Sequence, residues 1–194
     1  MRWLESDAAT RIDSASDTAV ALGPIRAHLR IDDGEDSDYL LDLIRAAESH
    51  VEELTGRPLQ RQTWREAFAG FPAGHAGFRL SRRPLASVAS VAYYGTDDTE
   101  REVAPAVYQV DDFAGVIVRR RGKAWPTADM RRSSAVVVEY IAGYETPPGD
   151  LVHAVRLLVA HMYEHREPEI TGHMISRFGF ALDALTLPYR VSWF

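Results

Sequence analysis

The hydrophobic period of this chain changes twice, and those two changes limit what it can fold into. Leu40, Ile44, Ala47, Val51 and Leu54 recur at intervals of four, three, four and three, the spacing of one face of an α-helix. From Gln60 onward the apolar residues alternate instead, in the runs QTWREAFAGF, FRLSRRPLASVASVAYYG, YQVDD, GVIVRRR and AVVVEYIAG, as half-buried strands do. The stretches between them, FPAGHAG, GTDDTERE, DDFAG and GKAWPTADMRRSS, carry the Gly, Pro, Asp and Ser of short turns. Short connections join antiparallel neighbours. After Pro147-Pro148-Gly149 a helical period returns in LVHAVRLLVAHMYEHRE and stops at Pro168, which a helix interior does not tolerate. This order predicts an α+β fold: N- and C-terminal helices form a small bundle that carries an antiparallel β-sandwich-like insertion.

Local signals set the boundaries. Residues 1–17 are polar, without apolar period, and read as a flexible N-terminal arm. Residues 18–59 hold the N-terminal helices: a short one at GPIRAHLRI, with Pro24 in its first turn, and the long one, for which Asp36 and Ser37 are N-cap candidates and Gly56 the left-handed end. The β module spans 60–145. Residues 146–168 form the C-terminal helix, with Asp150 as an N-cap candidate, and its stripe of Leu151, Val155, Leu158 and Met162 is expected to pack on Leu40, Ile44 and Val51. Residues 169–194 form a docking tail, with a short helical turn at FALDALTL and an end too apolar to stay in water.

Composition removes several function classes. The 194 residues hold no cysteine, so disulfides, thiolate metal sites and cysteine nucleophiles are absent. No run approaches the roughly 20 apolar residues of a membrane span, and the acidic N-terminus lacks a signal-peptide core. The expectation is a protein made in the cytoplasm, without a membrane partner. A net charge of −6 argues against a protein whose task is to coat nucleic acid. Arg119, Arg120, Arg121 and Lys123 nevertheless bunch together, with Arg131 and Arg132 close behind. Such a cluster is either a solvated strand end or a phosphate or subunit contact, and the solvated end is favoured.

One motif invites an enzymatic reading. Residues 161–165, HMYEH, spell the H-x-x-E-H of a zinc-peptidase helix, with His161 and His165 as ligands and Glu164 as base. A catalytic zinc also needs a third protein ligand, and the other histidines are scattered singly. At the margin of an apolar stripe, two histidines four apart are more simply packed side chains. The phosphate-binding loop, the dinucleotide-binding glycines and the serine elbow are all missing. The acid pairs Asp32-Asp33, Asp97-Asp98 and Asp111-Asp112 sit where turn and capping chemistry accounts for them.

The order of landmarks is more specific than any one of them. IRAHLRIDDGEDSDYLLDLIRAAESHVEELTGRPLQRQTW, then RRPLASVASVAYY, YQVD, the Trp125-Pro126 pair, VVVEYIAGY and LVHAVRLLVAHMYEHRE together resemble the head-tail connector (adaptor) family of long-tailed phages and gene transfer agents. The resemblance covers residues 20 to about 168. It implies a structural virion protein and no enzyme, metal or cofactor; family members commonly carry Asn or another residue where His165 stands. Such a protein forms a ring, twelvefold like the portal, that docks under the portal at one capsid vertex and offers a surface to the next neck protein, the stopper. DNA passes through the channel without specific binding. The implied location is the neck of the virion, after synthesis in the bacterial cytoplasm. By the same resemblance the C-terminal segment lies against the portal, through Phe178, Phe180, Leu182, Leu185, Leu187, Tyr189, Trp193 and Phe194. Deleting residues 178–194 is then expected to leave a folded monomer. The basic cluster faces the channel, a neighbouring subunit or the stopper. The competing assignments are another neck or tail-completion protein, such as a stopper, and a His-based zinc hydrolase.

Overall fold

The computed structural model describes residues 3–13, 17–31, 36–74, 76–165 and 172–191, with the backbone alone over 172–178. It holds helices and antiparallel sheets in two compact units. The first unit comprises Met1–Ser14 and Arg61–Tyr144, the second Ala15–Gln60 and Glu145–Phe194.

Among the described residues the first unit contains eight strands: β1 Ala8–Asp13, β2 Gln62–Phe68, β3 Gly77–Arg79, β4 Leu85–Tyr94, β5 Glu100–Glu102, β6 Tyr108–Asp111, β7 Val116–Arg119 and β8 Val136–Ala142. One sheet runs β1-β2-β8-β4-β5 and the other β3-β7-β6, with every strand pair antiparallel. Strand β8 is central because it is apolar on its inward positions: Val136, Val138, Tyr140 and Ala142 are buried. Its neighbour β2 turns Trp64, Glu66 and Phe68 inward and leaves Arg65 outside, where it pairs with Glu139 directly across the ladder. That alternation is the period of two expected of a sheet with one covered face. Both sheets contribute to one core, in which Phe68 and Phe78 lie 4.7 Å apart and Phe78 meets Trp125 edge-on at 5.4 Å.

Glu66 is fully buried in that core. Its Oε1 accepts hydrogen bonds from the Ser81 amide at 2.8 Å, the Ser81 hydroxyl and the Tyr140 hydroxyl. Burial, with the Glu66 carboxylate beside it, holds the Tyr140 hydroxyl well above the usual phenol range. The group ties β2, the segment after β3 and β8 together. A buried carboxylate with this donor set is a structural staple.

The arm corrects the sequence reading. Residues 8–13 are not flexible; they form an edge strand on β2, from Ala8 opposite Ala67 to Asp13 opposite Thr63. Leu4 extends the attachment by exchanging backbone hydrogen bonds with Gly77 and Arg79 at 3.0 and 3.1 Å. GTDDTERE likewise is more than a loop, since Glu100–Glu102 pairs with the end of β4.

The second unit holds helices α1 Leu22–Leu29, α2 Ser37–Thr55, α3 Gly149–Glu164 and α4 Gly172–Thr186, then a 3₁₀ turn at Leu187–Tyr189. Leu40, Ile44, Ala47 and Val51 are buried on α2, and Leu151, Ala154, Val155, Leu158 and Val159 on α3. These two stripes pack on each other, and α1 closes over both. Gly56 ends α2 at φ 69°, with its N–H on the Glu52 carbonyl at 2.8 Å. The starts differ from expectation. Asp36 precedes α2 at φ 51° and makes no side-chain cap, and α3 begins at Gly149 behind Pro148, which puts Asp150 in the first turn rather than at the cap.

Candidate docking surfaces

The C-terminal segment is a packed helix rather than a short turn. Within its unit, α4 lies against α3 and α2. Leu182 is 7% exposed and Thr186 fully buried, its hydroxyl bonded to the Leu182 carbonyl at 2.9 Å. Leu182 therefore belongs to this subunit's own core and is withdrawn from the set of portal-facing anchors. Tyr189 is half-buried; its hydroxyl donates to Asp150 Oδ2 at 3.0 Å and its carbonyl accepts from Arg57. Val191 N–H reaches the Thr55 carbonyl at 2.9 Å. Truncation at residue 178 thus removes core as well as surface.

What α4 leaves outward is narrower. Phe180, on α4, is 78% exposed, and Leu187, in the 3₁₀ turn that follows, 62%. Leu185 is half-buried between them. Trp193 and Phe194 lie outside the described residues, as does the side chain of Phe178.

The basic cluster is partly used up by its own fold. Arg119 ends β7 and donates to the Lys123 carbonyl and, at 3.3 Å, to that of Gly74; Arg120 Nε donates to the Tyr108 carbonyl at 2.7 Å. These bonds fix the loop that follows β7. Arg121 and Lys123 are exposed on that loop.

The acid pairs behave as turn residues. Asp97 accepts from the Thr99 amide at 3.2 Å and pairs with Arg101 at 2.9 Å, which holds its carboxyl down at about 2. Asp111 Oδ1 accepts from Ala114 N–H and Asp112 Oδ1 from Phe113 N–H, each at 2.9 Å. Asp32 and Asp33 lie outside the described residues.

The β6–β7 turn carries a residue the sequence reading passed over. Phe113, in DDFAG, is 97% exposed. The signal was present: a phenylalanine among turn formers cannot pack on the strands beside it. Elsewhere in the same unit, Phe71, Pro126, Thr127, Ala128, Asp129 and Met130 line a recess of about 540 Å³. Phe71 stacks on Trp125 at 5.2 Å, with ring planes 13° apart.

HMYEH ends α3. His165 stands beyond the last helical residue at φ −113°, its Nδ1 3.0 Å from the His161 carbonyl, and the two rings are 4.6 Å apart. Among the described residues no group of three His, Asp or Glu side chains is placed to hold a metal ion. Nor is any described helix long and apolar enough to cross a membrane.

Residues 20–113 match the family described as phage gp6-like head-tail connector protein. No curated protein matches. Among solved structures, a chain from the neck of an empty gene transfer agent (GTA) particle, computed with C6 symmetry, aligns at a TM-score of 0.79 and 26% identity over 96% of this chain and 97% of that one. A chain from the virion of the native GTA particle aligns at 0.77 and 25% identity, covering 96% of each. One from the native neck, computed with C12 symmetry, shares the fold at 0.76 and 24% identity, over 96% of this chain and 97% of that one. The ordered landmarks from Ile25 to Trp64 fall inside the region that matches the phage gp6-like head-tail connector family, and the likeness to the GTA neck chain runs along nearly the whole chain.

Proposed function

We propose that this protein is the connector, or adaptor, of a virion neck: a ring under the portal that joins the DNA-filled capsid to the stopper and tail. The observation that carries the reading is the likeness over 96% of the chain to a subunit of a GTA neck at 26% identity. Its role is structural, as in the family whose model it matches over residues 20–113, and it acts without catalysis or a cofactor. The finer architecture is an α-helical bundle for the second unit and a small sandwich of the two sheets for the first. The ring is twelvefold, matching a portal of that symmetry, and self-association takes place in the virion after synthesis in the bacterial cytoplasm.

Exposure divides the candidate residues. Phe180 on the outward side of α4 and Leu187 on the turn after it form the portal-binding surface, since exposed aromatic and aliphatic anchors are what such contacts use. Arg121 and Lys123 face the channel or a neighbouring subunit. A net charge of −6 suits a passage through which DNA must slide without being held. The test is electron microscopy of necks reconstituted with the Phe180→Asp, Leu187→Asp double variant. Folded protein that no longer joins the portal is the expected result; normal attachment would remove the assignment of α4. Density for the wild-type chain in the stopper position would replace the connector reading altogether.

A further inference from the structure

We propose that Phe113 of one copy inserts into the recess beside Phe71, Pro126 and Met130 of the next copy, and that this contact, repeated around the ring, joins subunit to subunit. The inference rests on the ring reading above and names its interface.

The projecting part is built to project. Gly115 takes φ +63°, and its carbonyl accepts the Leu80 N–H at 3.0 Å. Together with the Asp111 and Asp112 side-chain bonds to the amides of Ala114 and Phe113, this holds the turn in one shape. A phenylalanine presented on a rigid turn loses little freedom on binding, which is what makes an aromatic anchor effective.

The receiving part suits an aromatic ring. Its volume lies within the range of about 300–1,000 Å³ of small-molecule sites. Phe71, already stacked on Trp125, offers a ring, and Met130 an adaptable thioether. The tip brings Asp112, for which Arg132, exposed two residues beyond Met130, is the cation at hand. Asp129 is the charged member of the lining itself.

Position decides the kind of contact. The tip lies near the start of β4, where the Gly115 carbonyl accepts the Leu80 N–H, and the recess lies just past the end of β4, where Met130 bridges to Gly95. The ten residues of β4 lie between them, roughly 30 Å at the rise of a strand. The tip therefore does not reach its own recess, and two unlike patches at opposite ends of one unit give a head-to-tail contact. Such a contact closes into a ring when its rotation permits.

A protein without cysteine allows a clean experiment. Full-length chain carrying Phe113→Cys and Thr127→Cys is assembled into necks and treated with a short bis-maleimide. The contact predicts a ladder of covalent multimers extending beyond the dimer, and none from either single variant. Phe113→Asp should lower ring incorporation about tenfold or more with an unchanged melting temperature. Rings that form but give no ladder, or one that stops at the dimer, overturn the contact and leave the connector reading standing. A chain that never enters the neck overturns both.

Discussion

Glu48 sits on α2, with Oε1 accepting the Val20 N–H at 2.8 Å. Burial pushes its carboxyl up to about 7, against the lowering effect of that hydrogen bond and with Glu52 nearby adding to the rise. The consequence for stability has a definite sign. Below the ordinary glutamate value of 4.5 both folded and unfolded chains keep the proton, and burial of the neutral acid costs nothing extra. As pH rises toward 7 the unfolded chain ionises first, so stability falls; above 7 the loss is constant. Glu48→Gln keeps an acceptor for Val20 and removes the ionisation. It should raise stability by about 1 kcal/mol near pH 8, after allowance for solvent screening of a half-buried side chain, and leave it almost unchanged near pH 4. Denaturant unfolding of both proteins at those two pH values checks this. Parallel pH profiles would show that Glu48 is not the titrating group.

Elements were legible in the sequence wherever burial wrote a period into it. The stripe from Leu40 to Val51 and the alternation through Trp64, Glu66 and Phe68 appear in the structure as buried faces. Strand β1 was not legible, because all six of its side chains are exposed and its hold on β2 is made by backbone groups that leave no mark on residue type. The same holds for β5, whose three residues are exposed charges. Helix α4 was shortened to a turn because Gly172 and Gly179 weaken its intrinsic propensity; packing on α3 offsets that weakness. Of the docking surfaces, the apolar tail and the basic cluster were visible as composition, whereas exposure alone separates Phe180 from Leu182. An edge strand held by its backbone gives a sharp expectation. Removing residues 1–13 should cost the β unit about 2–3 kcal/mol in lost ladder hydrogen bonds and the Leu4 contact. It should also bare the β2 edge to pairing between molecules. Thermal unfolding with light scattering reads both effects; a truncated chain that melts like the wild type and stays monodisperse would mean that the arm contributes nothing.

At the scale of the whole molecule, the chain leaves the helical unit for most of the β unit and then returns to it. The chain enters it at Arg61 and leaves it at Tyr144, and Gln62 is the cross-strand partner of Ala142, which puts the two ends about 5 Å apart. A linker of about three or four Gly and Ser residues can span such a gap. Joined that way, Ala15–Gln60 and Glu145–Phe194 should fold alone, because the helical unit has its own buried set in Ile25, Leu40, Ile44, Leu151, Val155 and Leu158. The expected product shows a helical circular dichroism spectrum and one cooperative thermal transition, at modest stability for its size. It also separates the two proposed surfaces. It keeps Phe180 and Leu187 but lacks Phe113 and the recess, so it should occupy portal subunits and block wild-type attachment without assembling into a ring. A broad, uncooperative melt would show that the helices need the β unit in order to fold. A folded product that still forms rings would move the copy-to-copy contact out of the β unit and onto the helices.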